Sequence, residues 1–296
     1  MTKKLNLMAL CLLMGTGSAW GDQAVDRTVV ADHDAVIEIE NLAGSLTITG
    51  WDKNEIKVTG TLGDDVEELR IEGDGDHFEI EVEIPSGRGF GRREVDAELE
   101  IWVPMGSGLE VETVSATITV VGVNSWLRLS SVSGNIEASG AITEAEFESV
   151  SGSIRMSGSN TAVEAESVSG GVDLEGVGRS VDVSTVSGSM TIRGGEVDRA
   201  SFESVAGGIE FEGSLAEGGR LEAECHSCNV VLVLPASTSA VFEISTFSGN
   251  IDSELGGTVE RSSRYAPGRQ SEFSIGDGNG RVSVETFSGN VTLRQR

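Results

Sequence analysis

The sequence predicts an all-β fold, a single-stranded parallel β-solenoid with rungs of roughly 18–21 residues and a β-rich N-terminal cap. Three observations predict it. First, residues 111–211 repeat one motif: SVSGNIEASG from Ser131, SVSGSIRMSG from Ser149, SVSGGVDLEG from Ser167, TVSGSMTIRG from Thr185 and SVAGGIEFEG from Ser204. Their central Val recurs at 132, 150, 168, 186 and 205, and a degenerate copy, TVSATITVVG, places Val114 18 residues earlier. Second, apolar columns appear when the chain is folded at that period. Val114, Val132, Val150, Val168, Val186 and Val205 form one, and Ile118, Ile136, Ile154, Val172, Met190 and Ile209 another. A further strand carries Leu127, Ala145 and Val163, then Leu129, Phe147 and Ala165, two residues apart as β side chains of one face must be. Such faces are buried only if rungs close and stack. Third, Gly134, Gly152, Gly170 and Gly188 recur in one column and Gly140, Gly158, Gly176 and Gly194 in another, marking corners where φ is positive or the backbone is crowded. A left-handed coil of hexapeptides also has 18-residue turns, but it would put Glu144 inside beside Val132, Ala138 and Val150. The right-handed form is therefore preferred.

Taken in order, residues 1–21 read as a secretory signal peptide. Lys3 and Lys4 open it, an apolar run from Leu5 to Met14 follows, and Ala19-Trp20-Gly21 offers small residues at a cleavage site. The run is too short to span a membrane. Cys11 raises a lipid-anchored alternative, which the large Leu10 before it argues against. Residues 22–108 form an N-terminal β-rich part that caps the stack. They include a first rung, NLAGSLTITGWD from Asn41, and alternating strands around Ile80 and Ile101. Residues 109–211 hold the regular 18-residue repeats. In residues 212–296 the rungs lengthen: the motif returns at Cys225, Thr246 and Thr286, and residues 256–280 are expected to be a polar inserted loop leaving the stack, with Tyr265 beside it.

Composition bounds the function. The net charge is −27 over 296 residues, which excludes nucleic acid and a bare anionic membrane surface as partners. Aromatics make up 5% and glycines number 39, as small-residue rungs require.

Several motifs together resemble a known family. They are Ile48-Thr49-Gly50-Trp51-Asp52 followed by Glu55-Ile56-Lys57-Val58, then Leu99-Glu100-Ile101-Trp102-Val103-Pro104, the tandem Val-Ser-Gly units, and the ending from Gly276-Asp277-Gly278-Asn279-Gly280 to Thr286-Phe287-Ser288-Gly289-Asn290-Val291. On these the chain resembles the bacterial "putative adhesin" family of exported β-strand-repeat proteins, a domain of unknown function. The resemblance spans nearly all the chain after residue 21. It implies a β-solenoid in the cell envelope and brings no catalytic residues and no assigned substrate.

Candidate sites are few. Cys225 and Cys228 are the only cysteines after residue 21, and in an exported chain they are expected to pair as a structural disulfide. A reactive pair, a metal site or free thiols are the alternatives, and pairing requires a real corner at His226-Ser227. Glu110, Glu112, Glu146, Glu148, Glu164, Glu166, Asp182 and Glu203 lie between buried columns and form an acidic strip, interrupted by Arg128. Carboxylates one rung apart, about 4.8 Å, repel by only about 1 kcal/mol in water. The strip is thus either a plain solvated face or a docking face for divalent cations or a basic partner. Asp74-Gly75-Asp76-His77 and Asp277-Gly278-Asn279 echo pieces of Ca²⁺ loops without the remaining ligands, so polar turns are expected there. His33 reads as a surface residue, and Arg88, Arg92 and Arg93 form the one basic cluster. Lys53 and Lys57 are the only lysines after residue 21, and no nucleophile elbow, zinc helix or phosphate loop is present, so no catalytic residues, cofactor or metal are assigned. The expected function is that of an exported, non-enzymatic scaffold, adhesion or interaction module of the periplasm or cell envelope, binding an envelope protein or glycan. The alternatives are a polysaccharide-binding or -processing β-helix and a Ca²⁺-dependent adhesion module.

Overall fold

The computed structural model describes residues 23–85, 95–159, 162–262 and 267–296. The expected signal peptide, Arg88, Arg92 and Arg93, and Tyr265 lie outside them. Among the described residues there is no helix; the fold is all-β and mostly parallel.

The 18-residue period becomes register. In one ladder Gly108–Thr113, Trp126–Ser131, Glu144–Ser149, Ala162–Ser167 and Ser180–Thr185 pair in parallel, so that Val111, Leu129, Phe147, Ala165 and Val183 stand in line. In the other, Thr117–Val121, Ile136–Gly140, Ile154–Gly158 and Val172–Val177 align Ile118, Ile136, Ile154 and Val172. Two long strands, Met190–Ser204 and Ile209–Cys225, run through both ladders. The inward residues of the two ladders form one continuous core, with Phe147, Phe202, Phe211 and Phe242 fully buried. Each such side chain is worth ~1.5–3 kcal/mol on leaving water.

Both ends depart from sequential stacking. The rung NLAGSLTITGWD does form, with Val36–Asn41 on Gly108–Thr113 and Ala43–Trp51 on Thr117–Val121. It is not outermost: His77–Glu83 and Asp96–Pro104 stack beyond it. At the other end the last rung, Gly280–Ser288 with Val291–Gln295, sits between Ile209–Cys225 with Val230–Leu234 on one side and Ala240–Ser248 with Ile251–Ser253 on the other. The sheet is therefore not wholly parallel. Antiparallel strands cover the ends: Glu68–Asp74 on His77–Glu83, and Gln23–Val30 on Glu55–Leu62, which pairs with Asp96–Pro104. The 256–280 segment, expected as a loop, instead supplies Glu260–Arg261 and Arg269–Ile275, and the latter pairs antiparallel with Ala240–Ser248. These additions shield outer backbone that would otherwise template pairing with another chain.

Both glycine columns are crowded by the backbone of the preceding rung, and one adds a positive φ. Gly158 and Gly176 have φ of 131° and 81°, conformations other residues avoid. Gly170 has no positive φ; a Cβ there would lie 1.8 Å from the Gly152 carbonyl oxygen of the preceding rung. Backbone crowding alone excludes a side chain from that second column.

Candidate functional site

The site is built at the corner joining the two ladders, where the chain reads Ser/Thr-Val-Ser-Gly. The first residue points inward. Thr113, Ser131, Ser149, Ser167, Thr185 and Ser204 are buried, and their hydroxyls bind across the turn. Ser149 Oγ donates to the Gly152 carbonyl at 2.8 Å, and Ser167 Oγ to that of Gly170 at 2.9 Å. Ser204 Oγ both donates to the Gly207 carbonyl (2.8 Å) and accepts from its N–H (2.9 Å). The next residue, Val, must then face outward.

The structure corrects the sequence reading here. The Val114, Val132, Val150, Val168, Val186 and Val205 column, expected to be buried by stacking, is 45–49% exposed in every copy. The core is supplied by the neighbouring columns instead. The Val backbone is nevertheless tied down: Val150 N–H donates to the Ser131 carbonyl and Ser169 N–H to the Val150 carbonyl, rung after rung. Ser169 Oγ and Ser187 Oγ also donate to the carbonyls of Val150 and Val168. What this corner offers a ligand is side chains.

Beyond Val205 the column continues as His226, Phe287 and Phe247, in the spatial rather than the sequential order of rungs. Their rings stack, His226 on Phe287 at 5.0 Å and Phe287 on Phe247 at 4.9 Å, with planes within 2° and 7°. Phe287 and Phe247 remain about half exposed. Nine outward side chains at one per rung span about 38 Å at β spacing. An exposed apolar stripe of this extent reaches the upper size range found on monomers, ~300–600 Å².

This stripe is one side of an open groove of about 1040 Å³. The opposite side carries Ser130, Glu148, Glu166, Ser184, Glu203, Glu224, Glu285 and Ser245, which stand in register along the ladder. Arg269, Gly268 and Ser262, from the C-terminal insertion, close the Phe247 end. Arg269 Nη1 binds Asn250 Oδ1.

The predicted acidic strip resolves into two columns. Glu112, Glu148, Glu166 and Glu203 belong to the column that borders the groove, although Glu112 does not itself line it. Glu110, Glu146, Glu164 and Asp182 form a second column two residues away along the same strands. Arg128 sits within that second column, 2.9 Å from Glu146 and 3.6 Å from Glu110. Its guanidinium is held in the charged form first by the Glu146 hydrogen bond and then by both carboxylates. Farther along, Glu164 has no such relief. Partial burial, then Asp182 and the adjoining glutamates, raise the Glu164 carboxyl above its ordinary value, and burial likewise raises Asp182, opposed by Arg199. At the N-terminal end Glu40 is raised by burial and by Glu81 and Glu112, while Arg70 lies among Glu72, Glu79, Glu81 and Glu83.

Cys225 and Cys228 are joined by a disulfide with Cα atoms 5.8 Å apart, flanking the corner His226-Ser227 that pairing requires. Both are nearly buried, so the pair borders the groove without presenting a reactive surface. Asp74-Gly75-Asp76-His77 is the turn of the antiparallel hairpin ending at Asp74↔His77, and Asp277-Gly278-Asn279 turns between Arg269–Ile275 and Gly280–Ser288. His33 is exposed, 3.1 Å from Asp34. Among the described residues no three His, Cys, Asp or Glu side chains converge as a metal site, and no helix is long and apolar enough to cross a membrane.

Sequence reasoning missed the groove, with its Phe247, Phe287, His226, Glu224, Glu285 and Arg269. The signal was present in side-chain parity: Leu127, Leu129 and Ser131 point inward by alternation, which sends Val132 outward. The motif residues of the family resemblance also meet in space. Ile48 faces Ile101 and Trp51 faces Pro104, the Trp51 and Trp102 rings lie 6.3 Å apart, and Lys53 lies 4.4 Å over Trp51.

Fold and site together define an all-β, mostly parallel ladder protein that displays a groove with one apolar and one carboxylate-bearing side. The chain belongs to the Toastrack DUF4097 family, whose pattern it matches over residues 35–294. Among solved structures it is similar to a putative adhesin from Bacteroides fragilis, at 11% identity and a TM-score of 0.47, over 94% of this chain and 100% of that one. It is also similar to a putative lipid binding protein from Parabacteroides distasonis (14%, 0.46, 91% and 96%) and to a putative adhesin from Parabacteroides merdae (10%, 0.41, 92% and 96%). No curated protein matches the chain.

Proposed function

We propose that this protein is an exported, non-enzymatic β-solenoid that serves the cell envelope as an interaction module. The reading of a closed coil rests on the one-rung offset of every parallel pair in residues 108–211. The right-handed form is favoured because Glu144, Val132 and Val150, three of the four residues that the left-handed hexapeptide template would enclose, are exposed, and only Ala138 is buried. The observation that carries the function is the outward Val-to-Phe column. An apolar stripe costs solubility, and a ladder that exposes one residue type at six successive corners presents a recognition surface rather than a packing defect. The rigid main-chain ladder beneath it lowers the entropy lost on binding.

The test is photo-crosslinking in intact cells of the source. A tagged chain carries the crosslinking residue at Val168, on the stripe, or at Val121, exposed on the other ladder. The expected result is a reproducible protein adduct from Val168 that is absent from Val121. Capture of glycan alone, or equal capture from both positions, would overturn the reading.

A further inference from the structure

We infer that the groove takes an extended polypeptide segment of a protein partner, one in which apolar side chains alternate with lysine or arginine. This rests on the interaction-module reading above and adds the chemistry of the occupant.

The two sides of the groove ask for different things. The Val150–Val168–Val186 side is apolar and continues in register through Val205, the ring of His226, Phe287 and Phe247. The facing side sets Glu148, Glu166, Glu203, Glu224 and Glu285 in one column, on successive rungs except where Ser184 stands between Glu166 and Glu203. A strand alternates its side chains between opposite faces, so a chain laid along the groove directs apolar groups to the valines and cations to the glutamates. Arg269 closes one end with the opposite charge, which suits an acidic group or a chain terminus there and sets a direction.

Other occupants fit less well. A second copy of this chain would bring its own glutamates and a net charge of −27 against the same carboxylates. A sugar needs an open aromatic face; both faces of Phe287 are covered, by His226 and by Phe247, which leaves one face of Phe247 at the end of the groove and none along it. An anionic lipid headgroup would meet the glutamate column directly. The corner backbone is already hydrogen-bonded between rungs, so recognition runs through side chains and not through strand addition.

The experiment is selection from a displayed library of random 12-residue peptides against the disulfide-intact chain. The expected outcome is enrichment of sequences that alternate apolar and basic residues. Their affinity should fall about tenfold or more with Val150→Asp/Val168→Asp, fall also with Glu148→Lys/Glu166→Lys, and weaken as salt is raised. Circular dichroism and melting confirm that these surface variants fold. Enrichment of acidic or uncharged sequences, binding indifferent to the valine substitutions, or no enrichment would each overturn the inference. A failed selection beside a Val168-dependent protein adduct in cells would remove this occupant and leave the interaction-module reading standing.

Discussion

Cys225 and Cys228 close with a covalent bond the four-residue corner whose counterpart on the neighbouring rung Ser204 and Gly207 close with hydrogen bonds. Cys225 stands in line with Ser204 on one side and Thr286 on the other, in the column of buried hydroxyls. The disulfide thus replaces a repeated polar clip at the rung where the spacing first lengthens. A loop this short confines the unfolded chain little, so its removal should cost only about 2 kcal/mol. Replacing Cys225→Ser with Cys228→Gly restores the hydroxyl clip and should recover about 1 kcal/mol relative to Cys225→Ala with Cys228→Ala. Urea unfolding with and without reductant checks both, and reductant should leave the two double variants unchanged.

Inward and outward positions three residues apart should respond unequally. Phe147 is fully buried, and Phe147→Ala should cost ~3–5 kcal/mol. Val150, three residues on, is exposed, and Val150→Asp should change stability by no more than about 0.5 kcal/mol. Equal losses would mean that the valine column is packed. Chemical denaturation of the two variants decides the point.

Gly170 and Gly195 separate crowding from conformational freedom. A Cβ at Gly170 meets the Gly152 carbonyl oxygen, so Gly170→Ala should destabilise by ~1–3 kcal/mol. Nothing lies within 4 Å of a Cβ at Gly195, and Gly195→Ala should be neutral or stabilising by up to about 1 kcal/mol. Thermal melts of both variants give the comparison.

The acidic columns predict the sign of a pH effect. Glu164 and Asp182 have carboxyls raised above their ordinary values of 4.5 and 3.8, chiefly by partial burial. The folded state then holds protons that the unfolded state has released. The stability linked to these groups is fully present below the ordinary values and is lost as pH rises through the raised ones. Glu164→Gln should therefore raise the melting temperature at pH 7, with the gain vanishing at low pH. Added salt should narrow the difference, because the neighbouring charges face solvent.

Much of the architecture was legible because one physical constraint repeats. A period of 18 residues aligns Leu129 with Phe147 and Ile136 with Ile154, and the parallel register follows from it. The carboxylate strip was legible for the same reason, since Glu146, Glu164 and Asp182 share one column. The direction of the valines was not, because an apolar residue in a strict column reads as core unless parity is followed through Ser131. The order of rungs at the ends was not legible either. Phe247 and Phe287 carry the same motif, and nothing in their sequence separation says that the later one stacks inside the earlier. Long-range pairing of that kind depends on which edges are left open.

That swapped order carries its own prediction. Gly280–Ser288 lies between Ile209–Cys225 and Ala240–Ser248, so truncation after Asn279 removes an inner rung rather than a terminal one. The Ala240–Ser248 rung should lose its stacking on the rest of the ladder and keep only its antiparallel pairing with Arg269–Ile275. Hydrogen exchange should show protection falling at residues 240–253 while residues 108–204 keep theirs.

Thiol labelling of Val168→Cys with a membrane-permeant maleimide, in the purified protein and in intact cells of the source, tests the central claim most directly. Rapid labelling of the purified chain is expected, because the side chain faces solvent, and protection in cells, because a partner covers it. Protection in the purified chain would contradict the outward column, and equal reactivity in both settings would contradict its use as a docking surface.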